Sequence, residues 1–267
     1  MLSIRIVDSA NNIIATMYKE DKVSLNFTRS FQEGDRILIE SSAIPIALKV
    51  TVDKTIAPAS LWLAEPVMEF PIPLGLEHDA YPKDAFMGDE HTVSVEKMNE
   101  EEWMKYRIIS ENPLDRRGAS TYYPHCTANV ETRGESVFAA RNTIDGNLAN
   151  TDHGYFPYTS WGNNENPEAE IMIEFGREVT VDKIKILIRA DFPHDNFWTQ
   201  STLIFSDGST EVLPMIKTKE FQEFTYAPRT VTWVKLTKLK KCEEDPSPFP
   251  ALSQWIIYGS QNDGKIK

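Results

Sequence analysis

Hydrophobic residues recur mainly at every second position, the mark of half-buried strands. In "KVSLNFT", Val23, Leu25 and Phe27 share one face, and in "DRILIE" Ile37 and Ile39 do the same. "ALKVTV", over residues 47–52, reads as a further strand. Farther along, "AEIMIEFG" alternates Ile171, Ile173 and Phe175. "KIKILIR" alternates Ile184, Ile186 and Ile188, with Lys183 and Lys185 facing out. "FQEFTY", "VTWVKL" and "QWIIYG" supply more strands. "TLIFSDGSTEVL" reads as a hairpin, with Asp207 and Gly208 in the positive-φ positions of a tight turn. Prolines at 45, 58, 66, 71, 73 and 82 punctuate the first part, since proline has no place inside a central strand. The pattern predicts an all-β protein of two β-sandwich domains, the second a jelly roll or a similar sandwich of about eight short strands.

One helix interrupts the strands, in "NEEEWMKYR". Asn99 caps its first amides, and Glu102, three residues on, is placed for the reciprocal contact. Glu100, Glu101 and Glu102 suit the positive end of the helix dipole and Lys105 and Arg107 the negative end. Trp103, Met104 and Tyr106 are expected to pack. The three carboxylates are consecutive, so they do not converge on one point and the stretch reads as structural.

A boundary falls at "ENPLDRRGAS", where Asn112-Pro113 and Gly118 break regular structure. Residues 1–115 hold 11 Lys+Arg against 20 Asp+Glu, and residues 116–267 hold 17 against 20. This asymmetry fits two units: an N-terminal sandwich with one short helix (1–115) and a C-terminal jelly roll (120–260). The overall net charge of −12 argues against a nucleic-acid or anionic-membrane partner, which needs a basic footprint. No apolar run nears the roughly 18 residues that span a bilayer. The start, "MLSIRIVDSANN", shows no signal peptide, so a cytoplasmic location is expected, or secretion if a signal was trimmed. Cys126 and Cys242 make neither a disulfide framework nor a metal-binding spacing. Oligomeric state is not legible.

The densest candidate chemistry is "RADFPHDNFW", residues 189–198, a strand end followed by a proline-stiffened loop. Sugar recognition needs an aromatic platform for the ring's C–H face and planar or charged groups for its hydroxyls. Trp198, or Phe197, is the candidate platform, and Arg189, Asp191, His194 and Asp195 the candidate polar set. The competing reading is a buried Asp–Arg or Asp–His network with the aromatics as core filler. In "HGYFPYTSWG", Tyr155, Tyr158 and Trp161 are candidates for the same loop end, Trp161 being also a natural core residue. No GxSxG, HExxH, P-loop or GxGxxG is present, so no catalytic residue is assigned, although Asp191 and Asp195 are the pair an enzyme would use.

Three stretches of the second half resemble the discoidin-like domain, also called the coagulation-factor type C or galactose-binding-domain-like fold. They are "ARNTIDGN" with the following "TSW", "IMIEFGREVTVDKIKI", and "ALSQWIIYG". "HCTANVETRGESVFAARNTIDG" and "RADFPHDNFW" are similar to a bacterial branch of carbohydrate-binding proteins with this fold. The resemblance implies an eight-stranded jelly roll that binds a glycan or terminal sugar through loops at one end and does not catalyse. The alternatives are a protein-interaction or scaffold module and an unrecognised glycan-active enzyme. It also implies a structural calcium at Asp145, the Asn147 carbonyl and Thr151, completed by an acidic residue before the last strand. This chain has the neutral Gln254 there, which weakens that expectation. Residues 1–115 carry no comparably firm resemblance.

Overall fold

The computed structural model describes residues 1–190 and 193–262. In the first half the strands are β1 (Leu2–Val7), β2 (Ile13–Lys19), β3 (Lys22–Thr28), β4 (Arg36–Ser41), β5 (Ile46–Thr51), β6 (Ala59–Leu63), β7 (Val67–Pro71) and β8 (Glu90–Lys97). Then come β9 (Arg107–Ile108), β10 (Tyr122–Tyr123), β11 (His125–Ala128), β12 (Trp161–Gly162), β13 (Ile171–Arg189), β14 (Trp198–Phe205), β15 (Thr210–Pro214), β16 (Gln222–Lys241) and β17 (Ala251–Gln261). One sheet has the order β2-β1-β4-β7 and a second β10-β6-β5-β8-β3. Alternating inward residues of both, among them Ile4, Leu25, Ile39, Leu48, Phe70 and Val93, form the first core. Pro71 ends β7 at the sheet edge, where a missing N–H costs no ladder bond.

The second half is an eight-stranded antiparallel system, β12-β17-β13-β16-β14-β15, with β11 on β13 and β9 on β17. "AEIMIEFG" and "KIKILIR" are one strand of 19 residues, and "FQEFTY" and "VTWVKL" one of 20. The β13–β16 register shifts between Glu174 and Val179, so each long strand bends and serves both faces of the sandwich. Gly176 at that bend has φ +67 and lies so close to the Tyr123 ring that no Cβ fits. Ile171, Ile173, Phe175, Ile184, Ile186 and Ile188 are all fully buried in the second core. At the β14–β15 hairpin only Gly208 takes positive φ. Asp207 instead accepts from Ser209 N at 2.8 Å, an Asx turn where a pair of positive-φ residues was expected.

The helix covers Glu100–Met104 and is capped by Asn99 Oδ1, which accepts from Glu102 N at 2.7 Å. It ends before Lys105, so Arg107 joins β9 and plays no part in the dipole. Trp103 is buried as expected, but Tyr106 is exposed and donates to Asp182 at 2.6 Å.

The chain does not pass from one unit to the other through a simple linker. Arg107–Ile108 pair with β17 of the second system, Leu114 and Ala119 return to the first core, and Tyr122–Tyr123 pair with β6 before β11 enters the second. Stacked Trp62 and Trp103, with the Arg177 guanidinium over both rings, join the two halves. Among the described residues no helix is long and apolar enough to cross a membrane.

Candidate functional site

At the loop end of the second sandwich, Arg189 closes β13 with its side chain buried. Its Nε and Nη2 both reach Asp195 Oδ1, at 2.9 and 2.8 Å, and Asp195 is fully buried. The pair is held from behind. Lys217 Nζ donates to the Asp195 carbonyl at 3.0 Å and to Asp245 at 2.7 Å. Asn196 Nδ2 reaches the carbonyls of Cys242, Asp245 and Ser247, and Ser247 Oγ donates to the Pro193 carbonyl. The 193–197 loop is thus bolted to the loop before β17, with a bridge between Asp195 and Phe249.

This bolting brings Phe249 over the loop end, 45% exposed. Its ring meets His194 edge-on with centroids 6.0 Å apart, and His194 meets His153 the same way at 4.5 Å. Arg189, His194, His153 and Phe249, with Asn163, Arg133 and Phe138, line a pocket of about 130 Å³. Arg189 Nη1 is buried with no hydrogen-bond partner among the described residues. Burial, then the charges of Arg189 and His194, hold the His153 imidazole below its usual pKa, so it is neutral at pH 7. Adjoining is a wider hollow of about 640 Å³ that shares Arg133, Phe138 and His153 and continues to Leu76 and Tyr155.

The expected site residues are therefore divided. Arg189 and His194 line the pocket. Asp195 lies beneath it as the counter-ion that orients Arg189, as the buried-network reading had it. Asp191 lies outside the described residues. Trp198 cannot be the platform: it is fully buried in the second core, as is Trp161, with their rings 6.2 Å apart. Trp198 is the first residue of β14, and strand alternation turns it inward. Trp161 donates to the Val130 carbonyl at 2.9 Å, a structural bond. Phe197 packs partly buried against the same core, and Tyr158 is half-buried and does not line the pocket. Phe249 was missed. Its signal was a large aromatic between Pro248 and Pro250, immediately before the last strand.

The residues expected to hold calcium do not fit it as arranged. Asp145 Oδ1 accepts from Asn147 N and from Gln254 Nε2, both at 2.8 Å. The Asn147 side chain, as distinct from the carbonyl expected as a ligand, donates to the Pro157 carbonyl, and Thr151 is exposed. Burial, against the pull of Arg141, pushes the Asp145 carboxyl up to about 6. Among the described residues no three His, Cys, Asp or Glu side chains converge as a metal site.

No family model matches the chain, and no curated protein matches it. Among solved structures it is similar to a chitosan-binding module of a chitosanase/glucanase from Paenibacillus sp. IK-5, at 17% identity over 58% of this chain and 100% of that one, TM-score 0.38. It is also similar to the family 32 carbohydrate-binding module of NanJ from C. perfringens, solved with galactose, at 18% identity over 50% and 91%, TM-score 0.38. A fucose-binding module of Streptococcus pneumoniae matches at 14% identity over 57% and 97%, TM-score 0.39.

Proposed function

We propose that the second sandwich binds a terminal sugar in the pocket between Phe249 and Arg189, without turning it over. The observation that carries this reading is the Arg189 guanidinium. Asp195 fixes two of its nitrogens, and the third, Nη1, is buried and unpaired on a residue that lines the pocket. A buried donor left unpaired costs about 1–3 kcal/mol, which an incoming hydroxyl oxygen repays. Phe249 supplies an exposed apolar face, and a neutral His153 and Asn163 supply polar edges around it. The pocket is far smaller than the roughly 300–1,000 Å³ of drug-sized sites and suits one ring. Asp195 is engaged by Arg189 and fully buried, so it acts by orienting the guanidinium and not as an acid or base on a ligand. The reading agrees with the names of the solved structures above, but the pocket supports it without them.

The test is a glycan array with the full chain and with Phe249→Ala. Wild type should bind one group of terminal sugars, and Phe249→Ala should weaken that binding by about 1–3 kcal/mol, the loss of a large apolar contact. An array with no binding, or a variant that binds as wild type does, overturns the reading.

A further inference from the structure

We infer that the Gln254 side-chain amide occupies the place a divalent cation would take in the 142–147 loop, so that this jelly roll holds its loop without calcium. Three acceptor oxygens converge on one nitrogen. Gln254 Nε2 lies 2.7 Å from the Asn142 carbonyl, 2.8 Å from Asp145 Oδ1 and 2.8 Å from the Ser253 carbonyl. A carboxylate and two carbonyls closing on one point are oxygens of the kind calcium takes. Here an N–H2 group sits at that point, and a cation cannot share it with the hydrogens of the amide.

The backbone is shaped for this arrangement. β17 pairs Gln254 with Leu187 and Leu252 with Ile188, so Ser253 is the extra residue of a β-bulge. At that bulge the Ser253 carbonyl lies 2.8 Å from Nε2. The sense of the amide is fixed at its other end, where Gly146 N donates to Gln254 Oε1 at 3.2 Å. A reversed amide sets an oxygen against three oxygens and an N–H2 against an N–H. Gln254 is 1% exposed, so water does not compete for these bonds.

Asp145 is the one carboxylate among the described residues that touches the amide, and the buried Arg141 guanidinium beside it already acts on it as a positive charge.

The experiment uses the full chain: a calorimetric calcium titration, and thermal unfolding in millimolar calcium and in chelator. Wild type is expected to show no binding heat and the same midpoint in both. Gln254→Glu replaces the N–H2 with a charged oxygen, and its midpoint is expected to rise with calcium by mass action. Gln254→Met fills the space without a donor, and its midpoint is expected to fall by several degrees equally in both conditions. Calcium binding by wild type that Asp145→Asn abolishes overturns the inference. So does a folded Gln254→Glu indifferent to calcium, or a Gln254→Met as stable as wild type. Should Gln254→Glu fail to fold, the wild-type titration and Gln254→Met decide it.

Discussion

His125 donates through Nδ1 to the Asp115 carboxylate at 2.6 Å, and both side chains are buried. The second carboxylate oxygen accepts from Cys126 N at 2.8 Å. Asp115 follows Leu114, which lies in the first core, while His125 begins β11 of the second sandwich. Arg141 closes the joint by donating to the carbonyls of Asp115 and Pro113, with its guanidinium over the Tyr81 ring. The junction is thus a buried polar knot in which every bond links one half to the other. Removing one member leaves a buried charge uncompensated, so Asp115→Ala is expected to cost about 3–5 kcal/mol in chemical unfolding.

The same pair makes stability depend on pH. Burial alone lowers the His125 pKa, but the hydrogen bond and charge of Asp115 outweigh it and the net direction is up. A histidine whose folded-state pKa is raised contributes stability that is complete below its unfolded value, about 6.5. That contribution is lost as pH rises through the higher folded-state value. The wild-type midpoint should therefore fall on the alkaline side of about pH 6.5 more than that of His125→Asn, which keeps an N–H donor but cannot titrate. Parallel profiles for the two proteins would remove His125 as the cause.

Trp198 and Phe249 should separate stability from binding. Trp198 is fully buried beside Trp161, so Trp198→Ala should cost about 3–5 kcal/mol of stability. Phe249 is half exposed, and its replacement by Ala should change stability by under about 1 kcal/mol. Urea unfolding of both variants checks this. A Phe249→Ala protein as unstable as Trp198→Ala would make Phe249 a core residue and remove the platform from the site.

The strands were readable because each inward face repeats on a period of two, as in Ile184, Ile186 and Ile188. What was not readable is how long strands continue. "AEIMIEFG" and "KIKILIR" read as two strands, but Gly176 marks a bend within one strand that passes Tyr123, a contact that no local pattern encodes. At the site, Arg189 and His194 stood out because charged groups in a proline-stiffened loop are costly to leave unexplained. The division of labour among them was hidden. Whether Asp195 faces a ligand or locks Arg189 depends on Lys217 and Asn196 closing over it from other loops. Trp198 misled because it closes a loop that carries Arg189, His194 and Asp195, and only its place as the first inward residue of β14 decides its fate.

"ENPLDRRGAS" has the composition of an exposed linker, yet Leu114 and Asp115 are fully buried. Arg117, one of its exposed residues, is held by Glu131 at 2.6 Å and by the Gly134 carbonyl at 2.9 Å. Proteases need a locally open chain, and this one is tied on both sides. Trypsin is therefore expected to spare Arg116 and Arg117 in the native protein, and calorimetry should show one transition. Rapid cleavage there into two folded fragments would show that the halves are independent.

The proposed sugar pocket does not end at Phe249. Phe249 lines the small pocket and Tyr155 the wider hollow, with Arg133, Phe138 and His153 common to both. Tyr155 is 68% exposed and Leu76, contributed by the first sandwich, 83%. The two halves are fixed against one another here, since Ser136 Oγ donates to the Leu76 carbonyl at 2.6 Å and Phe156 N to the Asp79 carbonyl at 2.9 Å. A glycan whose terminal ring sits on Phe249 has its next rings directed along a preformed wall with a second aromatic face. Longer glycans should therefore bind more tightly than their terminal monosaccharide, by about 1–3 kcal/mol for one added apolar contact. Tyr155→Ala should remove that gain and leave monosaccharide affinity unchanged. Titration of one array-positive oligosaccharide and its terminal sugar against both proteins measures this. Equal loss for the two ligands would place Tyr155 in the fold of the loop, and no gain from chain length in wild type would confine recognition to the ring over Phe249.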